Sequence, residues 1–431
     1  MKIKKNKLWN EAKKIIPGGN MIFSKRSEMF LPNYWPAYFS KSKNCYVWDN
    51  SGNKFIDMLF AVGTNVLGYN NINVNKGVVK AVQKGNMTSL NSYEEVILSK
   101  KLLKINKWAH MIRYSRSGGE ANAIAIRIAR AYQKKSNIAV CGYHGWHDWY
   151  LSMNIKSKNN LNYHLNKGVK IEGVPKELKD TCFAFRYGDL NRLEFLLKNK
   201  KIGIIKMEVE RNYHPSNKKF LQDVKKLSKK YKTLLIFDEC TSGFRQSMGG
   251  LHLEYKVFPD MVIYGKALGN GYAINAIIGK KKIMQKAQQS FISSTFWSER
   301  IGFVAAIKTI DEMKRKKSWI YIKKTGERIK TKWMEISKKY NVPIVIGGIS
   351  AIPSFQFKTN HQIKKTYFTQ EMLKKGFLAS NIIYVSLAHK NKILEKYFHE
   401  LEKVFFNISK IKNLKKELLG KISHSTFQRL N

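Results

Sequence analysis

The sequence predicts an α/β protein: a large domain with a mainly parallel sheet between helices, and a smaller α+β domain built from both ends of the chain. Three observations carry that expectation. From about residue 75 onward, short apolar runs alternate with helical segments. Ahead of them, Cys45–Asp49 and Lys54–Met58 alternate around Asn50-Ser51-Gly52-Asn53, which reads as a hairpin with turn chemistry at its tip. Beyond about residue 300 the helices lengthen, and a short β-containing segment follows them.

Strands are expected at Met111–Ser115, Ile138–Cys141, Ile202–Glu208, Leu234–Asp238 and Met261–Tyr264. Strand-helix alternation of this kind argues for a mainly parallel sheet covered on both faces. Ala121–Tyr132 and Leu221–Tyr231 are the strong helical segments between them. Further helices are expected at Ile301–Arg315 and Trp319–Lys339, then β-structure at Ile352–Lys358 and Ile382–Leu387. The domain expectation is therefore residues 1–70 contributing to the small domain, 71–300 forming the large one, and 301–431 completing the small one. Lysine-rich stretches near residues 154–160 and 408–417 read as loops.

Composition narrows the class. The 431 residues carry 79 Lys and Arg against 30 Asp and Glu, a formal net charge of +49. Such a balance invites a basic nucleic-acid-binding protein on a degenerate enzyme fold as the non-enzyme alternative. Against it, lysine outnumbers arginine about five to one and is spread along the chain, whereas phosphate and groove readers favour Arg forks. No specific nucleic-acid partner is expected. Cys45, Cys141, Cys182 and Cys240 are widely spaced with no CxxC pattern, as reduced thiols would be. No apolar run approaches membrane-spanning length, and the basic start Met1–Lys7 leads into no signal-type apolar region. A cytoplasmic protein without a membrane partner is expected.

The chemistry concentrates at expected strand ends. Asp238 closes an apolar run, and Lys266 follows Val262-Ile263-Tyr264-Gly265, 28 residues later. A carboxylate and a lysine on neighbouring strand ends are what holding pyridoxal 5'-phosphate requires: the lysine forms the Schiff base, and the carboxylate keeps the pyridine nitrogen protonated. Ser117-Gly118-Gly119 lies between a strand and a helix, where backbone N–H groups can cradle a phosphate. After the next strand comes Tyr143-His144-Gly145-Trp146-His147-Asp148, whose Tyr can stack on a flat ring. The competing reading, a metal held by His144, His147 and Asp148, lacks a second ligand cluster, and no metal is expected.

Taken in order, SGGEA, YHGWHD, MEVE, DECTSGFR, GKALGNGYAINAIIG and STFWSER resemble the class III, fold-type I pyridoxal-phosphate aminotransferases, nearest to the glutamate-1-semialdehyde aminomutase-like branch. The resemblance runs from Pro17-Gly18-Gly19 to Ser386-Leu387-Ala388-His389. It implies that Lys266 is the Schiff-base lysine, that Asp238 pairs with the ring nitrogen and that Tyr143 stacks on the ring. Ser117, Gly118 and Gly119 would hold the phosphate, and His144, Glu208 and Cys240 complete the implied cofactor contacts. Thr295 matches the position that reaches the partner subunit's phosphate, implying a homodimer with shared active sites.

The sequence also departs from the family pattern. The usual Ser-Gly-Thr is Ser117-Gly118-Gly119, and the usual Glu-Pro-Val is Glu208-Val209-Glu210. The semialdehyde enzyme's substrate-side segment reads Phe23-Ser24-Lys25-Arg26, its Trp position is Val62, and its late Glu aligns with Asn381. Lys25 and Arg26 are the candidates for a substrate carboxylate. The expected activity is transfer of an amino group between a small amine donor and a carbonyl acceptor, with an aminomutase as the alternative.

Overall fold

A computed structural model describes residues 6–155, 171–210 and 217–425. The chain divides into two compact units, one joining the residues up to Asn71 with those from Tyr321 onward, the other formed by Ile72–Ile320.

In the first unit, β1 (Phe39–Lys43), β2 (Tyr46–Asp49) and β3 (Lys54–Asp57) form an antiparallel meander. The β2–β3 turn is fixed by Asp49, whose carboxylate accepts the N–H groups of Ser51 and Asn53, each at 2.9 Å. Farther on, Phe60, Ala61, Val62 and Gly63 all have positive φ, and the Thr64 N–H bonds back to the Phe60 carbonyl at 3.0 Å. Four consecutive left-handed residues, three with side chains, make a strained turn.

The second unit holds β4 (Met111–Ser115), β5 (Ile138–Cys141), β6 (Cys182–Ala184), β7 (Ile204–Glu208), β8 (Leu234–Glu239), β9 (Met261–Tyr264) and β10 (Asn275–Gly279). They form one sheet in the order β4-β10-β9-β8-β7-β5-β6. Only β10 runs against its neighbours, pairing antiparallel with both β4 and β9. Six strands therefore point the same way, and their carboxyl ends share the edge where open α/β sheets bind ligands. On one face, helix Gly118–Gln133 lays Ala121, Ile124, Ala125 and Ile128 over Ile138, Ile204, Ile236 and Ile263. The Ser117 side chain caps this helix and Glu120 returns the bond, a reciprocal box that fixes where the helix begins.

The first unit is completed by β11 (Ile344–Gly347), β12 (Ser354–Phe357) and β13 (Phe377–Leu378). β13 joins β3 in parallel, so one small sheet takes strands from both ends of the sequence.

Two expectations need correcting. Ile382–Leu387 is not a strand. Its N–H groups reach in turn to Pro353, Met58, Ala351 and Val66, so the extended segment never builds a ladder on one neighbour. The unit boundary falls after Ile320 rather than after residue 300, because helix Arg300–Lys316 packs on helices Ile72–Gln83 and Glu94–Ile105. Residues 156–160 of the expected lysine-rich loop lie outside the described residues.

Candidate active site

Asp238 ends β8 with its carboxylate buried, and three groups surround it. His144 Nδ1 lies 2.9 Å from Oδ2, the Cys240 N–H donates to Oδ1 at 3.1 Å, and Lys206 Nζ stands 3.7 Å from Oδ2. Burial alone would raise the Asp238 pKa; the Lys206 ammonium and the His144 N–H outweigh it and hold the carboxyl well below its usual range. Burial, reinforced by Lys206, pushes the His144 pKa down. His144 is therefore neutral, its Nδ1–H donates to Asp238, and its bare Nε2 faces no hydrogen-bond donor among the described residues. The result is a permanent, desolvated negative charge at the sheet's carboxyl edge.

Lys266 follows β9, the strand beside β8, so the two edge positions are set by adjacent strands. Its φ of +36° is one that residues with a Cβ rarely adopt, and such strain gathers at functional positions. Gly265 makes the approach possible: a Cβ there would fall 2.1 Å from Asn275 Oδ1. The Lys266 amine donates to the Thr241 hydroxyl at 2.8 Å. Cys240 lies between these groups, with its Sγ 3.9 Å from Asn275 Oδ1, and burial followed by the Asp238 charge pushes its thiol pKa far up. It is an inert, space-filling thiol.

Ser117, Gly118 and Gly119 follow β4 at the same edge. The Ser117 hydroxyl accepts the Glu120 N–H at 3.3 Å, while the Glu120 carboxylate takes the N–H groups of Ser117 at 2.8 Å and Arg116 at 3.0 Å. The N–H groups of Gly118 and Gly119 open the helix, where anions are favoured. Tyr143 leaves β5 through Gly142, at φ +112°, where a Cβ would meet Glu208 Oε2 at 2.6 Å. Glu208 in turn accepts the Tyr143 N–H at 3.1 Å. Its carboxylate thus fixes the backbone that presents the half-buried Tyr143 ring.

The sequence-derived residues of the second unit converge on one edge, except for Thr295. That residue opens a short turn, Thr295–Ser298, and is exposed. The turn is tied to the Ser117 region by Arg116, whose guanidinium donates to the Trp297 carbonyl at 2.9 Å and pairs with Glu299 at 3.4 Å. Lys25 and Arg26 belong to the first unit; Lys25 is exposed, and the Arg26 guanidinium lies over the Phe23 ring at 4.0 Å.

The histidines are otherwise engaged: His144 bonds Asp238, and His147 stacks on Trp146 with ring centroids 4.6 Å apart. Among the described residues no group of three or more His, Cys, Asp and Glu could hold a metal ion, and no helix is long and apolar enough to cross a membrane.

Three members of the site escaped the reading of the sequence. Thr241 sits inside the DECT motif, three residues after Asp238, a spacing that could have drawn attention to it. Lys206 is a charge within the apolar run Ile204–Met207, an inconsistency visible in the sequence. Asn275 carries no local signal, since only the β9–β10 pairing brings it beside Gly265.

Comparison with known proteins agrees with this architecture. The profile of the family "Aminotransferase class-III" matches residues 31–404. The 3-aminobutyryl-CoA aminotransferase of Cloacimonas acidaminovorans is 33% identical over 385 residues, covering 86% of this chain and 89% of that protein. The glutamate-1-semialdehyde 2,1-aminomutase of Wigglesworthia glossinidia brevipalpis is 31% identical over 428 residues, covering 93% and 97%. Among solved structures, an omega-transaminase from Sphaerobacter thermophilus superposes with a TM-score of 0.82 at 18% identity, covering 94% of this chain and 97% of that one. The FumI protein of Sphingopyxis sp. MTA144 in a PLP form reaches 0.84 at 20% identity, covering 96% and 98%. With a family match across most of its length and relatives above 30% identity, the chain belongs to the class III aminotransferases, fold-type I enzymes that transfer amino groups with pyridoxal phosphate.

Proposed function

We propose that Lys266 carries the pyridoxal phosphate covalently, that Asp238 meets its ring nitrogen, and that the Ser117-Gly118-Gly119 turn receives its phosphate. The observation that carries this reading is a buried carboxylate at the end of β8, held by His144 and Lys206, with Lys266 just past the end of the adjacent strand β9. A buried carboxylate calls for a charged partner, and a pyridinium N–H is one that fits. When bound, the cofactor supplies an electron sink for a bond broken at the substrate's amine-bearing carbon.

The chain's own residues do the rest. Asp238, oriented by neutral His144, holds a proton on the ring nitrogen. Tyr143 covers the ring, and Glu208 keeps Tyr143 in place. The Lys266 amine, freed when the substrate amine displaces it and oriented by Thr241, takes the proton from the substrate's amine-bearing carbon and returns it two atoms away, on the far side of the nitrogen, so that nitrogen passes from an amine donor to a carbonyl acceptor.

Exposed Phe291 and Phe296 flank Thr295, and their 87% and 66% exposure supports a homodimer in which Thr295 reaches the partner's phosphate. Lys25 and Arg26 are proposed to meet a substrate carboxylate, and a cytoplasmic setting suits four free cysteines.

Borohydride treatment of the yellow purified protein, followed by peptide mass analysis, tests the core of the reading. A reduced cofactor adduct on the Lys266 peptide is expected; a colourless protein that takes up no pyridoxal phosphate overturns it. Aminomutase relatives matched along nearly the whole chain favour intramolecular transfer as a second reading. Half-reactions with simple amine donors separate the two, because a transaminase releases the donor's carbonyl product and an aminomutase returns an isomer.

A further inference from the structure

Lys206 is the group in this site that amino transfer does not require. It lies in β7 on the face that also carries Ile204, and its register partner Ile236 belongs to the same apolar layer. Its side chain is wholly buried, and Nζ has no hydrogen-bond partner among the described residues. The nearest opposite charge is Asp238 Oδ2 at 3.7 Å, an ion-pair distance too long for a hydrogen bond. Burial pushes the lysine pKa down and the Asp238 charge opposes that shift. A buried ammonium without its own acceptors is costly, and an apolar residue would fit this strand better. Its position is therefore informative: the same carboxylate oxygen takes His144 and lies next to Lys206.

We propose that Lys206 is a positioning residue that shares Asp238 with the cofactor's ring nitrogen and weakens the hold of that carboxylate on the ring proton. The inference rests on the reading that Asp238 is the ring-nitrogen partner. Two cations drawn to one carboxylate repel each other, so each lowers the other's share of its charge. The bound ring is then less fully protonated, and a weaker electron sink, than one whose aspartate has no competing lysine. The cofactor is also held less tightly.

The test uses pyridoxamine 5'-phosphate labelled with nitrogen-15 in the ring, which binds the cofactor-free protein without a covalent bond to Lys266. The nitrogen resonance of the bound ring reports its protonation, and fluorescence titration gives the dissociation constant. In Lys206→Met, and in Lys206→Gln should the first variant fold poorly, the resonance should move toward the protonated value and binding should tighten about tenfold, the equivalent of one pKa unit. A resonance that stays at the wild-type position, or binding that is unchanged or weaker, overturns the proposal. Asp238→Asn separates this failure from that of the underlying reading: if that substitution also leaves the resonance unmoved, Asp238 is not the partner of the ring nitrogen.

Discussion

The Thr241 hydroxyl accepts a hydrogen bond from the Lys266 amine at 2.8 Å, and Thr241 lies three residues beyond Asp238. One short segment thus supplies both the carboxylate and an anchor for the lysine that follows the neighbouring strand. Thr241→Val keeps the shape and removes the acceptor. Because a single hydrogen bond is worth about 1 kcal/mol, kcat should fall roughly fivefold while bound cofactor stays near wild-type. Absorbance of the purified variant and steady-state kinetics check this, and unaltered kcat would show that the contact does not orient the amine.

His144 gives Asp238 its closest bond, at 2.9 Å, from a ring that burial keeps neutral. His144→Phe fills the space but leaves a buried carboxylate oxygen short of a donor, which costs about 1–3 kcal/mol. A lower melting temperature and loss of cofactor on dialysis are expected. His144→Gln, which keeps an N–H donor, should recover part of both. If the Phe variant retains cofactor like wild-type, Asp238 does not depend on His144.

Much of this arrangement could be read from the sequence, for physical reasons. Strands at Ile138–Cys141 and Met261–Tyr264 stand where the apolar runs put them, because strands buried on both faces admit little else, and Met111–Ser115 is found where its run put it as a partly buried edge strand beside β10. Strand ends then locate Asp238 and Lys266 at one edge. Contacts set by register rather than by local pattern stayed hidden. Lys206 meets Asp238 because β7 and β8 align Lys206 with Ile236, and Asn275 meets Gly265 through the turn of β10 back onto β9. The left-handed turn at Phe60–Gly63 runs against residue propensity, so no pattern announces it.

His389 predicts how stability depends on pH. Its Nδ1 accepts the Ser386 N–H at 3.3 Å and its Nε2–H donates to the Asp57 carbonyl at 3.1 Å, an arrangement only the neutral ring satisfies. Burial lowers its pKa to about 4, and burial likewise takes His361 to about 4. With folded values below the unfolded value of about 6.5, this stability is complete above about pH 6.5 and is lost as pH falls toward 4. For His389 the loss is on the order of 3 kcal/mol. Urea midpoints should therefore drop between pH 7 and pH 5, and His389→Gln should flatten that fall. An equally steep fall in the variant would assign the acid sensitivity elsewhere.

Val62 occupies the third position of the left-handed turn, at φ +59°, a conformation especially unfavourable for a β-branched residue. Val62→Gly relieves that strain, against the larger entropy of glycine in the unfolded chain and a half-buried side chain lost. A net gain of about 1 kcal/mol is expected, seen as a higher urea midpoint. A lower midpoint would mean that the valine contacts outweigh the backbone strain.

Gly119 stands where the family's usual Ser-Gly-Thr carries threonine, and restoring that threonine should harm this protein. A Cβ on Gly119 would lie 2.7 Å from His147 Cε1 and 2.9 Å from its Nδ1. The His147 ring is stacked on Trp146, and the Gly145 backbone closes in as well: a Cβ on Gly145 would come 3.0 Å from the Gly119 Cα. The space of the missing methyl and hydroxyl is therefore occupied by the loop after β5, the loop that presents Tyr143. Gly119→Thr must push His147 aside and disturb that loop, so pyridoxal phosphate should bind about tenfold more weakly despite the added hydroxyl. His147→Ala in the same chain removes the obstruction, and the double variant should regain the loss, leaving an interaction term of about 1 kcal/mol or more in the cycle. If Gly119→Thr alone binds the cofactor more tightly, the threonine hydroxyl reaches the phosphate without displacing His147, and the loop is more accommodating than its packing implies.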